Sequence, residues 1–296
     1  MSTLLLVDGH AYAYRAFHAI RRLNAPDGRP TNALFGFIKM LSRLRAVVSP
    51  SHLAVVWDGG LSPERMRLVP EYKAQRPAMP EDLAGQIDDM FSYLDGAGIH
   101  SVQQAGVEAD DLLATLARAA SAAGIKAVIA SSDKDFFQLV SPTVGLLNPA
   151  DKSESVWSAA EVEVKTGVAP SQVVDWLSLI GDSVDNIRGV AGVGPKTAAD
   201  LLRQFGSVES LYARLGEVHS DRLRGALSAS AEIVRRNQQM IRLKDDLPGA
   251  PALTDLAAGE PDQATLLGLF RRWGFQRMAA EVEPVRTRQD DFFASV

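Results

Sequence analysis

Short, continuous apolar runs that end in an acidic residue recur along the first half of this chain. Leu4-Leu5-Leu6-Val7 stops at Asp8-Gly9, Leu53-Ala54-Val55-Val56-Trp57 at Asp58-Gly59-Gly60, and Ala127-Val128-Ile129-Ala130 at Ser131-Ser132-Asp133. Apolar runs without polar alternation predict strands buried on both faces, as in a parallel sheet. Helical periodicity lies between them, over 31–47 with Thr31 or Asn32 as N-cap, and over 109–123 closed by Gly124. Strands alternating with helices predict an α/β domain, residues 1–155, with a mainly parallel sheet flanked by helices. Beyond it the texture changes to short helical segments near 159–166, 170–180, 197–205, 207–214 and 230–242, predicting a helical second region over 156–283. From Gly60 to about Gly98, Pro63, Pro70, Pro77 and Pro80 mix with Arg65, Arg67, Lys73 and Arg76, which predicts a mobile, partly helical excursion from the sheet. Residues 284–296 have little periodicity and read as a loose tail.

Composition narrows the classes of function. The 296 residues exceed what one compact core usually uses. Lys and Arg number 31 against 36 Asp and Glu, a formal charge of −5 that excludes a generally basic, histone-like binder. An acidic total does not exclude nucleic acid, because a metal-dependent nuclease concentrates carboxylates in its site and carries basic residues elsewhere. The absence of cysteine excludes disulfide scaffolds, Cys-ligated zinc, iron–sulfur clusters and thiol nucleophiles. The first apolar run is too short to span a membrane and lacks a basic signal-peptide start, so the expectation is a cytoplasmic protein without membrane attachment.

The strand ends carry the candidate chemistry. Asp8, Asp58 and Asp133, with Asp135 two residues later, stand at the carboxyl edge of the expected sheet, where open α/β folds bind ligands. Glu108, Asp110 and Asp111 open a helix, and Asp182 and Asp185 add a pair from the helical region. Singly, each has an ordinary explanation, as a helix N-terminal acid or a turn residue. Together they repel by about 4 kcal/mol per close pair at an effective dielectric of about 20, so a convergent cluster needs bound cations or raised pKa values. Carboxylates without cysteine or a histidine pair suit Mg²⁺ or Mn²⁺, and two such ions about 4 Å apart suit phosphodiester hydrolysis.

Leu4-Leu5-Leu6-Val7-Asp8-Gly9-His10, Tyr14-Arg15-Ala16-Phe17-His18-Ala19, Tyr72-Lys73-Ala74-Gln75-Arg76, Glu108-Ala109-Asp110-Asp111, Asp133-Lys134-Asp135 and Gly181-Asp182 through Asp185-Asn186 follow one another in this order. The chain thereby closely resembles the 5′-nuclease domain of bacterial DNA polymerase I and its flap-endonuclease relatives, over nearly its whole length to about Glu283. The resemblance implies a PIN-like sheet domain followed by a helical domain with a helix–hairpin–helix, extended to a helix–three-turn–helix. It implies a monomeric 5′→3′ exonuclease and flap endonuclease, without an attached polymerase, that acts on DNA with 5′ flaps, nicks or ends in replication and repair. All nine acidic positions are filled, which argues against a degenerate member. Asp8, Asp58, Glu108, Asp110 and Asp111 would mainly form one metal cluster, and Asp133, Asp135, Asp182 and Asp185 the other, with two Mg²⁺ or Mn²⁺ as cofactors. Lys73 and Arg76 match the gateway motif and would neutralise the scissile phosphate as catalytic residues. A DNA-binding module with vestigial metal sites and a PIN-like ribonuclease are the competing readings.

Gly189 to Ala198 is a glycine-rich turn leading into a helix. A tight interhelical loop is one reading; a nucleotide P-loop fails because Pro195 separates Gly194 from Lys196 and no strand precedes. By resemblance it is the hairpin that holds duplex backbone and often a K⁺ ion, with Gly192, Val193, Gly194 and Lys196 as the binding residues. Arg15 resembles a phosphate contact; Tyr14 sits where relatives stack an aromatic on a base, and a core aromatic is the alternative. Arg222, Arg224, Arg235, Arg236, Arg242 and Lys244 face Glu232 alone, either as a solvated helix face or as a duplex-backbone stripe. In the tail, Gln289-Asp290-Asp291-Phe292-Phe293 resembles the bacterial sliding-clamp-binding pentapeptide, with Gln289 first, Asp291 third, and Phe292 and Phe293 as anchors.

Overall fold

The computed structural model describes residues 2–149, 151 and 155–283. Strands β1 (Thr3–Asp8), β2 (His52–Trp57), β3 (His100–Gln103), β4 (Lys126–Ala130) and β5 (Val144–Leu147) form one parallel sheet in the order β3-β2-β1-β4-β5. Helices α1 (Gly9–Ala19), α2 (Asn32–Val48), α3 (Pro63–Leu68), α4 (Glu81–Gly96) and α5 (Ala109–Ala122) run between the strands.

Side chains alternate across a strand, so each central strand feeds two cores. Leu5, Val7, Leu53, Val55 and Trp57 face α1, α2 and α4; Leu4, Leu6, Ala54, Val56 and Ile129 face α5 and the helical region. This double coverage is why the strands lack polar alternation. Strands β3 and β5 escape the hydrophobic pattern because they are short edge strands, Val102 being the one buried residue of β3.

The helical region comprises α6 (Ala159–Thr166), α7 (Val173–Ile180), a two-stranded hairpin of β6 (Gly181–Asp182) and β7 (Ile187–Arg188), α8 (Pro195–Phe205), α9 (Val208–Ala213), α10 (Asp221–Ala229) and α11 (Ala231–Ile241). Its buried Leu177, Leu179, Leu201, Leu202 and Phe205 continue the core that holds Leu4 and Leu6. Helices α12 (Gln263–Trp273) and α13 (Gln276–Val282) then return to the other face, where Phe270, Trp273 and Phe275 join Tyr93 and Phe35. The region expected to be helical to 283 is thus divided in space, its last two helices belonging to the sheet.

The excursion expected to be mobile is packed. Arg65, Val69, Tyr72 and Lys73 are buried, and Leu83, Met90 and Leu94 of α4 enter the second core. Gln86 ties α4 to α2, accepting from the Leu34 amide at 3.0 Å and donating to Asn32 at 3.1 Å. Apolar residues at helical spacing within 81–96 carry this docking, and the prolines concentrate in the turns around them.

Candidate active site

The sheet brings its acidic strand ends to one edge. Asp8 shares the parity of Leu4 and Leu6, so its side chain belongs on the face toward α5 and the helical region. Its Oδ1 accepts from Ala11 N at 3.0 Å, capping α1, and its Oδ2 accepts from Ser131 Oγ at 3.0 Å, joining the ends of β1 and β4. Asp58 accepts from Ala109 N at 2.9 Å and so fixes the start of α5 on β2. Asp133 accepts from Asp135 N at 3.0 Å and caps the 3₁₀ turn Lys134–Leu139. Asp182 and Asp185 arrive on the turn between β6 and β7.

That turn depends on Gly181, whose φ of 75° and ψ of 179° only glycine readily adopts. A Cβ there would lie 2.3 Å from Gly189 N.

Burial and mutual repulsion set the electrostatics. Asp8 is pushed up to about 6, chiefly by burial against the relief of its Ala11 and Ser131 hydrogen bonds, with Asp58 and Asp133 adding repulsion. Asp110 is held well above the usual carboxylate range by burial, then by Asp133 and Asp8. Asp135 is raised in the same way by burial and then by Asp133, Asp182 and Asp185, and Asp133 is raised chiefly by burial. Burial also pushes Asp58 up, but hydrogen bonds from His10 and Ala109 and the charge of Lys73 bring it below the usual value. Among the described residues, Asp8, Asp110, Asp133 and Asp135 have no salt-bridge partner. Four buried or half-buried, like-charged sets of hard oxygen donors without a salt-bridged cation fit Mg²⁺ or Mn²⁺. Among the described residues, no three acidic or histidine side chains are already drawn together as an ion's coordination shell.

Of the remaining five carboxylates, Glu108, Asp111, Asp182 and Asp185 are tied to arginine or lysine side chains of the chain. Glu108 Oε2 accepts from Arg65 Nη1 at 2.8 Å, Tyr72 OH at 3.1 Å and Lys73 Nζ at 3.3 Å, and its Oε1 accepts from Ser62 N at 3.2 Å. Asp185 accepts from Arg76 Nη2 at 2.6 Å and Tyr72 OH at 3.4 Å; Asp182 pairs with Lys134 Nζ at 3.0 Å.

Asp111, expected in the first metal cluster, is not brought to it. Arg65 grips its two oxygens at 2.8 Å each, and Lys244 N donates to Oδ1 at 2.9 Å. Adjacent residues on an α-helix diverge by about 100°, so Asp110 and Asp111 cannot serve the same face.

Lys73 is buried with its ammonium 3.3 Å from Glu108, and Arg76 pairs with Asp185 at 2.6 Å. Lys73 holds φ at 56°, uncommon for a residue with a Cβ, and its N–H donates to Asp185 O at 3.2 Å. Sequence reasoning missed Arg65, which also donates from Nε to Met240 O at 2.9 Å and so locks the excursion to α5 and α11. A lone arginine among four basic residues carried no periodic signal. Tyr72 was legible only as part of its motif, and Lys134 only as the residue between two aspartates.

The glycine-rich turn borders a groove of about 710 Å³, lined by Gln75, Lys134, the β6–β7 turn, Gly194 and Pro195. Gly192 and Gly194 are exposed, with nothing within 4 Å of where a Cβ would lie, and Lys196 is exposed. Val193 departs from the expected set: its side chain is buried and its N–H donates to Val190 O at 3.0 Å. It anchors the turn. Arg15 is exposed and donates to Pro149 O at 2.5 Å, while Tyr14 is half-buried and stacked on His18. Within the basic run, Arg224 pairs with Asp221 and Arg235 with Glu232, each three residues apart on one helix, which favours the helix-face reading for these two; Lys244, beyond the end of α11, pairs with Glu64. Gln289, Asp291, Phe292 and Phe293 lie outside the described residues. No helix among the described residues is long and apolar enough to cross a membrane.

This arrangement of a parallel sheet with an acidic carboxyl edge, closed by a helical region with a glycine hairpin, agrees with known families. Residues 3–167 match the 5′-3′ exonuclease N-terminal resolvase-like domain, and residues 168–264 match the 5′-3′ exonuclease C-terminal SAM fold. The chain belongs to the 5′-3′ exonuclease family. It is 36% identical over 285 residues to a 5′-3′ exonuclease of Aquifex aeolicus, covering 96% of each chain. It is 39% identical over 280 residues to DNA polymerase I of Pseudomonas aeruginosa, covering 92% of this chain and 30% of that one. It therefore spans about a third of such polymerases. In fold it is similar to the bacteriophage T5 flap endonuclease solved with DNA and metal ions, at a TM-score of 0.66, 21% identity, and coverage of 95% of this chain and 97% of that one. The catalytic core of Rad2 with DNA substrate gives a TM-score of 0.65 at 17% identity, covering 95% and 93%.

Proposed function

We propose that this protein is a structure-specific 5′ nuclease that hydrolyses DNA phosphodiester bonds at 5′ ends and flaps with two divalent cations. The observation that carries the reading is the convergence of Asp8, which is buried, with half-buried Asp110, Asp133 and Asp135, all without salt-bridge partners, at a sheet edge next to the groove bordered by the glycine hairpin. Asp8, Asp58 and Asp110 would hold one Mg²⁺ or Mn²⁺, Asp135, Asp182 and Asp185 the other, and Asp133 lies within electrostatic reach of both groups. Bound there, the cations would make water more acidic and stabilise charge on the phosphate. Lys73 and Arg76 orient the scissile phosphate and offset its charge. Gly192, Gly194 and Lys196 admit duplex backbone, with Arg15 as a further phosphate contact and Tyr14 as a stacking surface. A K⁺ ion at the hairpin is part of the reading, by resemblance. A cytoplasmic location suits a cysteine-free chain acting on DNA.

The test is purified protein with labelled 5′-flap, nicked and single-stranded DNA and an RNA flap, in Mg²⁺ and in EDTA. Mg²⁺-dependent cleavage of DNA flaps, abolished by Asp133→Ala with duplex binding retained, is expected; metal-independent or absent cleavage would refute the reading. Recruitment to a sliding clamp through Gln289 to Phe293 rests on sequence alone. A peptide of residues 286–296 should bind a bacterial clamp and lose binding when both phenylalanines become alanine.

A further inference from the structure

Lys134 lies between two half-buried aspartates, Asp133 and Asp135, yet its ammonium turns to a third carboxylate. Its Nζ is 3.0 Å from Asp182 Oδ2, and Asp182 Oδ1 accepts from Val184 N at 2.9 Å, so both oxygens of Asp182 are engaged by the chain itself. The pair is unequally buried: the Asp182 side chain is 14% exposed and that of Lys134 36%, so the lysine can leave more readily than the carboxylate. Lys134 also lines the groove that Gly194 and Pro195, at the start of α8, help to line. One ammonium is therefore within reach of two anion positions, the carboxylate it holds and the groove beside the hairpin.

We infer that Lys134 is a resident counter-cation of Asp182 that couples duplex binding to loading of the cation site this carboxylate serves. The inference rests on the function proposed above. Without DNA, the ammonium neutralises Asp182 and competes with a divalent ion for the same oxygen. A duplex phosphate in the groove offers a second anion, and transfer of the ammonium to it frees Asp182. The coupling is reciprocal by thermodynamic necessity: DNA strengthens ion binding by the factor by which the ion strengthens DNA binding. Such a device keeps the second ion site weak until substrate is present. Lys134 thus acts as a positioning residue, through Asp182.

The experiment uses the full chain and two readouts other than cleavage. Ca²⁺ is titrated calorimetrically into metal-free wild type, Lys134→Met and Lys134→Arg, and duplex affinity is read by fluorescence anisotropy with Ca²⁺ or with EDTA. Lys134→Met should tighten the weaker Ca²⁺ site by about tenfold without DNA, within the usual range of coupling between sites. It should also shrink the Ca²⁺ enhancement of duplex affinity by a similar factor. Lys134→Arg, which keeps the charge, should behave as wild type. An unchanged weak site in Lys134→Met, or equal tightening by Lys134→Arg, would overturn the inference. If wild type binds no Ca²⁺ and Asp133→Asn makes no difference, the metal-site reading itself has failed.

Discussion

Replacing Asp8 with asparagine removes one charge from the acidic edge and keeps the oxygen that caps α1 through Ala11. Burial first, and the charges of Asp58 and Asp133 after it, lift this carboxyl from 3.8 to about 6 in the folded protein. A raised carboxyl favours the protonated folded state, so its contribution to stability is complete below 3.8 and lost as pH rises through about 6. At 1.36 kcal/mol per pH unit, the ionised form costs the folded state about 3 kcal/mol at pH 8 and about 1.5 kcal/mol at pH 5. Asp8→Asn should therefore exceed wild type in stability by amounts approaching these values, growing with pH. Urea unfolding in EDTA at pH 5 and pH 8, followed by circular dichroism, measures both differences. Saturating Mg²⁺ should narrow the gap at pH 8, since an ion that binds only the folded wild type offsets the same repulsion. A difference independent of pH, or a variant less stable than wild type at pH 8, would refute the argument that unpaired negative charge dominates this edge.

Arg65→Met should cost about 3–5 kcal/mol in urea unfolding, because it leaves Glu108 and Asp111 buried without their guanidinium; loss under 1 kcal/mol would mean that the clamp is dispensable. Gly181→Ala should destabilise by at least about 1–2 kcal/mol from backbone strain alone. By displacing the β6–β7 turn it should also weaken Mn²⁺ binding read by paramagnetic resonance; wild-type Mn²⁺ affinity would show that the turn tolerates a Cβ. Lys73→Ala should lower the single-turnover cleavage rate on the order of 100-fold with duplex affinity little changed, and an unchanged rate would remove Lys73 from the chemistry.

The acidic edge was legible because each central strand is an uninterrupted apolar run that stops at a carboxylate, a pattern a doubly covered parallel strand imposes on sequence. Asp110 and Asp111 show the limit of such reading. Adjacency along the chain suggested a shared role, while helical geometry sends one toward the cluster and the other to Arg65. Val193 was misread for a related reason, since flanking glycines mark a backbone accessible to a partner, but the residue between them anchors the turn. The seating of the excursion was hidden because it rests on long-range contacts from Arg65 to Met240 and from Tyr72 to Asp185, which leave no local period.

The core shared by β1, α5, α7 and α8 has a consequence for how the molecule comes apart. Two family segments meet at residue 167 in sequence, yet Leu4 and Leu202 belong to one apolar cluster, and the segment after the helical region folds back beneath the sheet. Separating the halves would expose that cluster along its length. The carboxylates contributed by the two halves are therefore held at a spacing set by solid packing instead of by a hinge. A stretch that lacks either segment would lack part of the acidic set, since Asp8, Asp58, Asp110, Asp133 and Asp135 precede residue 167 and Asp182 and Asp185 follow it.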